Sequence, residues 1–312
     1  MPQTPGNASE TLAAINPPAE VQVAGIRMIP VVGGKYKVWT KRIGSGSTKV
    51  LLLHGGPAAT HCALEAMESF LPQENIEIYY YDQLGCGNSD IPDDTSLWTI
   101  ERYVEEVEEV RIGLGLDQFV LYGISWGGML AIDYALKYQQ HLRGLVISNM
   151  TASSESYIKR VNEIKDWLPS DKRAELALYE ANQDYDNPGY QRLMIEDLYS
   201  LMICRLKPWP EPLTRTFRVL NEKIYNFMQG KSEFEMTGNL KDWDRWDRLH
   251  EIKVRALTIG ATYDSMDPAE MEKMATLMPN AESLICPNGS HGALWDDQQA
   301  YFEGLIAFLK SL

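Results

Sequence analysis

Three residue types that together perform acyl transfer occur here in the order serine, aspartate, histidine, each just beyond a strand-like run. Ser125 lies in Gly123-Ile124-Ser125-Trp126-Gly127, directly after the apolar run Gln118-Phe119-Val120-Leu121-Tyr122. This is G-x-S-x-G with a strand before it and a helix after it, the pattern of a nucleophile elbow. The serine must sit on a strained turn so that its hydroxyl leaves the sheet. A Cβ at either flanking glycine would collide with the neighbouring strand or helix. The hydroxyl then needs a base, an acid to orient that base, and donors for the oxyanion. His291, in Asn288-Gly289-Ser290-His291-Gly292, follows the final strand-like run and can reach back over the elbow. His250 precedes the run that begins at Val254, at the wrong end of it, and reads as a surface or core-edge residue. Asp264 ends Gly260-Ala261-Thr262-Tyr263-Asp264 and is the expected acid. Its rival Asp267 precedes Pro268 and reads as a helix N-cap, while Asp296 and Asp297 read as the start of the last helix. Oxyanion donors are expected from the backbone N–H of Trp126 and from His54-Gly55-Gly56-Pro57, with Gly56 the first choice and Gly55 the second.

These residues need a rigid frame, and the rest of the chain supplies one. Val21 to Val32 and Tyr36 to Ile43, joined by Gly33-Gly34, predict an antiparallel hairpin. Continuous apolar runs at Lys49 to Leu53, Ile76 to Tyr81, Gln118 to Tyr122, Leu142 to Ser148 and Val254 to Ile259 suit strands buried on both faces. A further strand is expected at Ala281 to Ile285. Helices are expected at about 62–71, 99–114, 127–137, 268–277 and 298–309. The alternation specifies a mostly parallel twisted sheet with helices on both faces. In the helix at 99–114, Ile100, Val104, Val107 and Val110 form the buried stripe. Glu105, Glu106, Glu108 and Glu109 are expected on its solvated side.

From about Thr151 to Leu240 the strand-like runs vanish and aromatic, helix-period segments replace them. The expected organisation is a tail over 1–20, an α/β core over 21–150 and 241–312, and an inserted helical cap over 151–240. That is the layout of an α/β-hydrolase. With 312 residues and a net charge of −14 from 29 basic and 43 acidic side chains, the chain lacks the clustered lysines and arginines that phosphate backbones require. No nucleic-acid partner is expected. No stretch approaches the roughly 18 apolar residues of a membrane span, and the first ten residues have neither the basic nor the apolar segment of a signal peptide. Cys62, Cys86, Cys204 and Cys286 are widely spaced, without metal-ligand spacing, and read as reduced thiols. A cytoplasmic location, no metal and no membrane partner are therefore expected; no oligomer is specified, and a monomer is compatible.

With those residues in view, His54-Gly55-Gly56-Pro57, Asp82-Gln83-Leu84-Gly85-Cys86-Gly87-Asn88-Ser89, Gly123-Ile124-Ser125-Trp126-Gly127 and Gly289-Ser290-His291 resemble the proline iminopeptidase (prolyl aminopeptidase) family of α/β-hydrolases in order and spacing. Ser232-Glu233-Phe234 and Thr237-Gly238-Asn239-Leu240-Lys241-Asp242-Trp243-Asp244 resemble its tricorn-interacting aminopeptidase branch most closely. The resemblance implies release of an N-terminal residue, preferably proline, from peptides or amino-acid amides with a free N-terminus, without metal or cofactor. It implies that Glu233 binds the substrate's amino group. A buried carboxylate there would reject blocked chains, because it pairs only with a free ammonium. Likeness to that branch implies a second glutamate after the triad aspartate, but Ser265 stands there in this chain, and Leu84 stands where many members of the family carry arginine. One carboxylate holds the amine less firmly than two, so a broader amino-acid amidase or esterase is the alternative expectation. Apolar surface for a pyrrolidine ring is expected from Trp126, Tyr157, Trp209, Phe227 and Trp295, with Gly55 beside them. A receptor built on a dead hydrolase would need a broken triad, and an epoxide hydrolase an aspartate at the elbow; Ser125 opposes both.

Overall fold

The computed structural model describes residues 23–231 and 234–312; the expected tail at 1–20 and Glu233 lie outside them. Eight strands form one sheet: β1 (Ile26–Val31), β2 (Tyr36–Ile43), β3 (Thr48–Leu53), β4 (Ile76–Tyr81), β5 (Phe119–Ile124), β6 (Leu142–Ser148), β7 (Ala256–Ala261) and β8 (Ala281–Cys286). Their spatial order is β1-β2-β4-β3-β5-β6-β7-β8. The β1–β2 and β2–β4 pairs are antiparallel and every other pair is parallel.

The strands alternate their side chains between two cores, as period-2 geometry requires. Leu51, Leu53, Tyr81, Phe119, Leu121, Leu145 and Ile147 pack towards the helices Ile100–Leu114 and Trp126–Tyr138. Val50, Leu52, Tyr80, Val120, Tyr122, Val146 and Ile259 pack towards His61–Ser69 and Gln298–Ser311. Every residue of β4, β5 and β7 is buried, which explains why those segments read as unbroken apolar runs. The helix Ile100–Leu114 opens on Thr99, whose hydroxyl accepts from Arg102 N–H, and ends at Gly115 in the left-handed region.

The acidic run on that helix departs from expectation. Glu106 is fully buried, accepting from the Tyr81 hydroxyl (2.5 Å) and Leu84 N–H (2.8 Å) and pairing with Arg102. Glu109 caps the hairpin turn by accepting from Val32 and Gly33 N–H, and Glu108 binds Arg111 and Tyr134. Only Glu105, paired with the exposed Lys137, behaves as a surface carboxylate. Arg102 and Arg111 lie one turn away on the same helix, but Tyr81, Leu84, Val32, Gly33 and Tyr134 come from other elements that helical spacing does not bring into view.

Between β6 and β7 the described residues form helices: Ser154–Lys165, Ser170–Ala181, Pro188–Arg192, a π-turn at Leu193–Leu198, Tyr199–Met202, Glu211–Arg218 and Glu222–Met228. The two chain crossings that bound this layer are pinned side by side. Ser154 N–H donates to Trp243 O (2.9 Å) and Arg245 N–H to Ala152 O (2.8 Å), with an antiparallel bridge between Ser153 and Asp244. Strand order reverses between β3 and β5, and ligands of open α/β sheets bind beyond the carboxyl ends of strands at such a point. Those two ends carry His54-Gly55-Gly56 and Ser125. Among the described residues no helix is long and apolar enough to cross a membrane.

Candidate active site

Ser125 joins β5 to the helix Trp126–Tyr138 with φ 56° and ψ −129°, a conformation that non-glycine residues rarely adopt. Its N–H donates to Ser148 O (3.0 Å), and its carbonyl accepts from Gly128 N–H (2.6 Å), so both sides of the turn are anchored. The flanking glycines are demanded by contact. A Cβ at Gly127 would lie 2.4 Å from Leu53 O, and one at Gly123 would lie 2.0 Å from Gly127 O. Gly55 also faces the serine, since a Cβ there would lie 3.1 Å from Ser125 Cβ.

Asp264 is completely buried just beyond β7. Its Oδ1 accepts from His291 Nδ1 (2.8 Å), Met266 N–H (3.0 Å) and, more weakly, the Ser265 hydroxyl (3.3 Å). Its Oδ2 accepts from Asn149 Nδ2 (2.7 Å). Ser265 is itself buried, with its Oγ 3.2 Å from His291 Nδ1, so it packs on the Asp264–His291 pair and leaves no second carboxylate at this position. Asp267 accepts from Ala269 N–H as the N-cap of Pro268–Leu277, and His250 is exposed, as their sequence contexts predict.

The His291 loop is held from two sides. His291 N–H donates to Met202 O (2.8 Å) and Gly292 N–H to Ile203 O (2.7 Å), so the helical layer rests directly on it. Asp296 accepts from Ser290 N–H (3.0 Å), the Ser290 hydroxyl (2.5 Å) and Arg205 N–H (2.9 Å). Asp297 accepts from Asn288 N–H (2.8 Å). The two aspartates thus turn back onto the histidine loop, a role that sequence reasoning missed; Asp297 stands at the start of the last helix as expected, but Asp296 ends the short helix Ala293–Asp296 instead.

The loop opposite the elbow is braced by Gln83. Its Oε1 accepts from Trp126 Nε1 (2.8 Å), its Nε2 donates to His54 O (3.3 Å), and its backbone N–H donates to His54 Nε2 (3.1 Å). That last bond makes Nε2 an acceptor, so His54 carries its proton on Nδ1 and donates it to Gly55 O (2.8 Å). Burial lowers the His54 pKa, which keeps this neutral form. Asp82 accepts from His61 N–H and Nδ1 and from Asn88 N–H and Nδ2. Burial works to raise its pKa, and the His61 hydrogen bond with its neighbours outweighs that, holding the carboxyl below its ordinary range.

Ser125, His291, Ser265, Gly55, Gly56 and Trp126 line one cavity of about 220 Å³. Trp126 is the first residue of its helix, so its N–H has no intrahelical acceptor. Tyr157 and Trp295 also line the cavity, as expected. Trp209 and Phe227 do not. Trp209 donates its Nε1 to Cys204 O (2.8 Å) and packs on Phe217, while Phe227 is 41% exposed and meets Trp98 edge-on. Tyr199, Leu213, Phe217, Tyr225 and Met236 supply the apolar wall in their place. The four cysteines are unpaired and buried. His61, Cys62 and Glu65 bring possible metal-ligand atoms within 4.8 Å of one another. Glu65 is already taken by Arg215, with both oxygens at 2.7 Å, and His61 Nδ1 by Asp82.

Comparison with known proteins agrees with this fold. The alpha/beta hydrolase fold family matches residues 48–298. A proline iminopeptidase of Elizabethkingia meningoseptica is 47% identical over 292 residues, covering 91% of this chain and 98% of its own. One from Flavobacterium johnsoniae is 48% identical with the same coverage. The crystal structure of a Mycobacterium smegmatis proline iminopeptidase superposes with a TM-score of 0.85 at 26% identity, covering 92% of this chain and 98% of its own.

Proposed function

We propose, for a chain that belongs to the proline iminopeptidase family of α/β-hydrolases, a serine aminopeptidase that releases an N-terminal residue, preferably proline, from short peptides or amino-acid amides. The observation that carries the reading is the Asp264–His291 contact of 2.8 Å, with His291 and Ser125 lining the same cavity. In this reading Ser125 Oγ attacks the carbonyl carbon of residue one while His291 Nε2 takes its proton. The N–H groups of Gly56 and Trp126 receive the developing oxyanion. Asp264 holds the imidazolium through Nδ1, and His291 then protonates the departing amine. Water hydrolyses the acyl-enzyme by the same route, returning the proton to Ser125.

Tyr157, Phe217 and Trp295 offer apolar surface to the ring of a prolyl residue. Glu233 is assigned the substrate's free amine, from the family pattern and from the need of an exopeptidase to reject blocked chains. Residues 151–240 act as the cap that carries this selectivity, and the cytosol is the assigned compartment. A broader amidase or esterase is favoured by one observation, that Ser265 lies on the Asp264–His291 pair, where the resemblance to the tricorn-interacting branch implies a second glutamate.

A panel of prolyl, alanyl and N-acetyl-prolyl anilides tests the reading. Prolyl anilide should turn over fastest and its acetylated form at least about 100-fold more slowly, the effect of leaving the amine-binding carboxylate unpaired. Equal turnover of the blocked substrate would overturn the exopeptidase assignment. Equal turnover of prolyl and alanyl substrates would favour the broad amidase.

A further inference from the structure

We infer that Asn149 positions the acid of the triad, and that a chain of buried hydroxyls ending on Tyr122 and Tyr301 holds Asn149 in place. The inference rests on the triad reading above. Asn149 lies just beyond β6, fully buried, with φ 51°. Asparagine is among the few side-chain-bearing residues that accept this left-handed backbone readily. Its Nδ2 donates to Asp264 Oδ2 at 2.7 Å, and more distantly to Ser290 O at 3.4 Å. Its Oδ1 accepts from Ser148 Oγ at 2.6 Å. Tyr301, in the last helix, brings its hydroxyl to 2.8 Å from Ser148 Oγ, and the Tyr122 hydroxyl lies 2.5 Å from that of Tyr301.

The direction of this chain follows from counting protons. A serine hydroxyl has one proton, and Ser148 spends it on Asn149 Oδ1, which can only accept. Tyr301 must therefore donate to Ser148, and Tyr122 to Tyr301. Burial raises the Tyr122 pKa to about 12 and that of Tyr301 well above the ordinary value, so both phenols keep their protons at neutral pH. Every donor then points towards Asp264. Donation from Ser148 also fixes which end of the Asn149 amide is which, presenting the NH₂ group to the carboxylate. With Oδ2 held from this side, the carboxylate cannot rotate, and Oδ1 stays on His291 Nδ1. Tyr122 sits three residues before Ser125 on β5. The chain therefore ties the nucleophile's strand, the acid's neighbour and the last helix into one buried polar unit.

Asn149→Gly keeps the left-handed backbone and removes only the amide, and Tyr301→Phe removes one remote hydroxyl. Two readouts apply: steady-state kinetics on prolyl anilide, and the rate at which a prolyl phosphonate labels Ser125. Asn149→Gly should lower kcat about 10- to 100-fold, the worth of a hydrogen bond to a charged acceptor, with KM within about twofold. Tyr301→Phe should lower kcat about 3- to 10-fold, and phosphonate labelling should slow in proportion in both variants. Asn149→Asp, which keeps the backbone but offers the carboxylate no donor, should not restore the rate. Folded variants that label at the wild-type rate would overturn the inference, even if their melting temperatures fall. Should Tyr301→Phe fail to fold, Asn149→Gly decides alone. A wild-type protein that takes no label on Ser125 would instead overturn the triad reading.

Discussion

The floor and the roof of the cavity are built on different principles. The floor consists of strand ends, where Ser125, Asp264 and the Gly55 loop are fixed by buried hydrogen bonds and by glycines that admit no Cβ. The roof consists of helices between residues 154 and 228, which present Tyr199, Leu213, Phe217 and Tyr225 through apolar contact. Several apolar side chains of that layer remain substantially exposed, among them Ile195 at 54% and Phe217 at 42%. Bond making and breaking needs atoms held within tenths of an ångström, which a twisted sheet with paired polar groups provides. Discrimination among substrates tolerates a looser surface, because one methylene changes apolar burial by only about 1 kcal/mol. The two layers meet where Met202 and Ile203 accept from His291 and Gly292, and again where Arg160 Nε donates to Asp264 O (3.5 Å), so the roof touches both the proposed base and the proposed acid.

Substitutions should separate the layers by the size and kind of their effects. Ser125→Ala should lower kcat by about 10⁵- to 10⁶-fold in a folded protein, the usual cost of removing a triad nucleophile; appreciable residual turnover would contradict the assignment. Asp264→Asn should cost about 10⁴-fold in kcat by favouring the wrong imidazole tautomer. A roof residue should act differently. Phe217→Ala should raise KM about 10-fold and leave kcat within about threefold, since it removes apolar surface from the cavity wall. A large fall in kcat would place Phe217 with the floor. Phe227→Ala, outside the cavity, should change kcat/KM by less than about twofold.

The floor should also carry a pH signature. The pKa of His54 is lowered in the folded protein by burial, so the unfolded chain takes up a proton near pH 6.5 while the native state does not. Its contribution to stability is complete above that pH and is lost progressively as pH falls below it towards the lower pKa of the folded state. The melting temperature should hold between pH 8 and 7 and drop by about 2 °C at pH 5.5, and a flat profile would contradict this picture.

The sequence revealed the two layers unequally, for a physical reason. Strand runs, flanking glycines and the Ser–Asp–His order are local signals, and β6 and the helix Pro268–Leu277 fall at the predicted residues. The bracing groups were not legible. Asn149 reaches Asp264 across 115 positions and Gln83 reaches Trp126 across 43, and no local pattern marks either pairing. Within the roof, Trp209 and Phe217 are equally aromatic and sit in contact, yet only Phe217 faces the cavity. Choosing between them requires knowing how short helices pack. The run Glu105 to Glu109 misled similarly, because Glu106 finds its partners on β4, the following loop and its own helix.

The central claim is that Ser125 becomes acylated by the first residue of the substrate. Rapid quenching of the enzyme with a prolyl nitrophenyl ester, followed by mass spectrometry of the digested protein, tests it directly. The account predicts a burst of nitrophenol approaching one equivalent and a prolyl adduct on the peptide that bears Ser125. A full burst with the adduct on another residue, or turnover with no adduct while deacylation is slow, would contradict it.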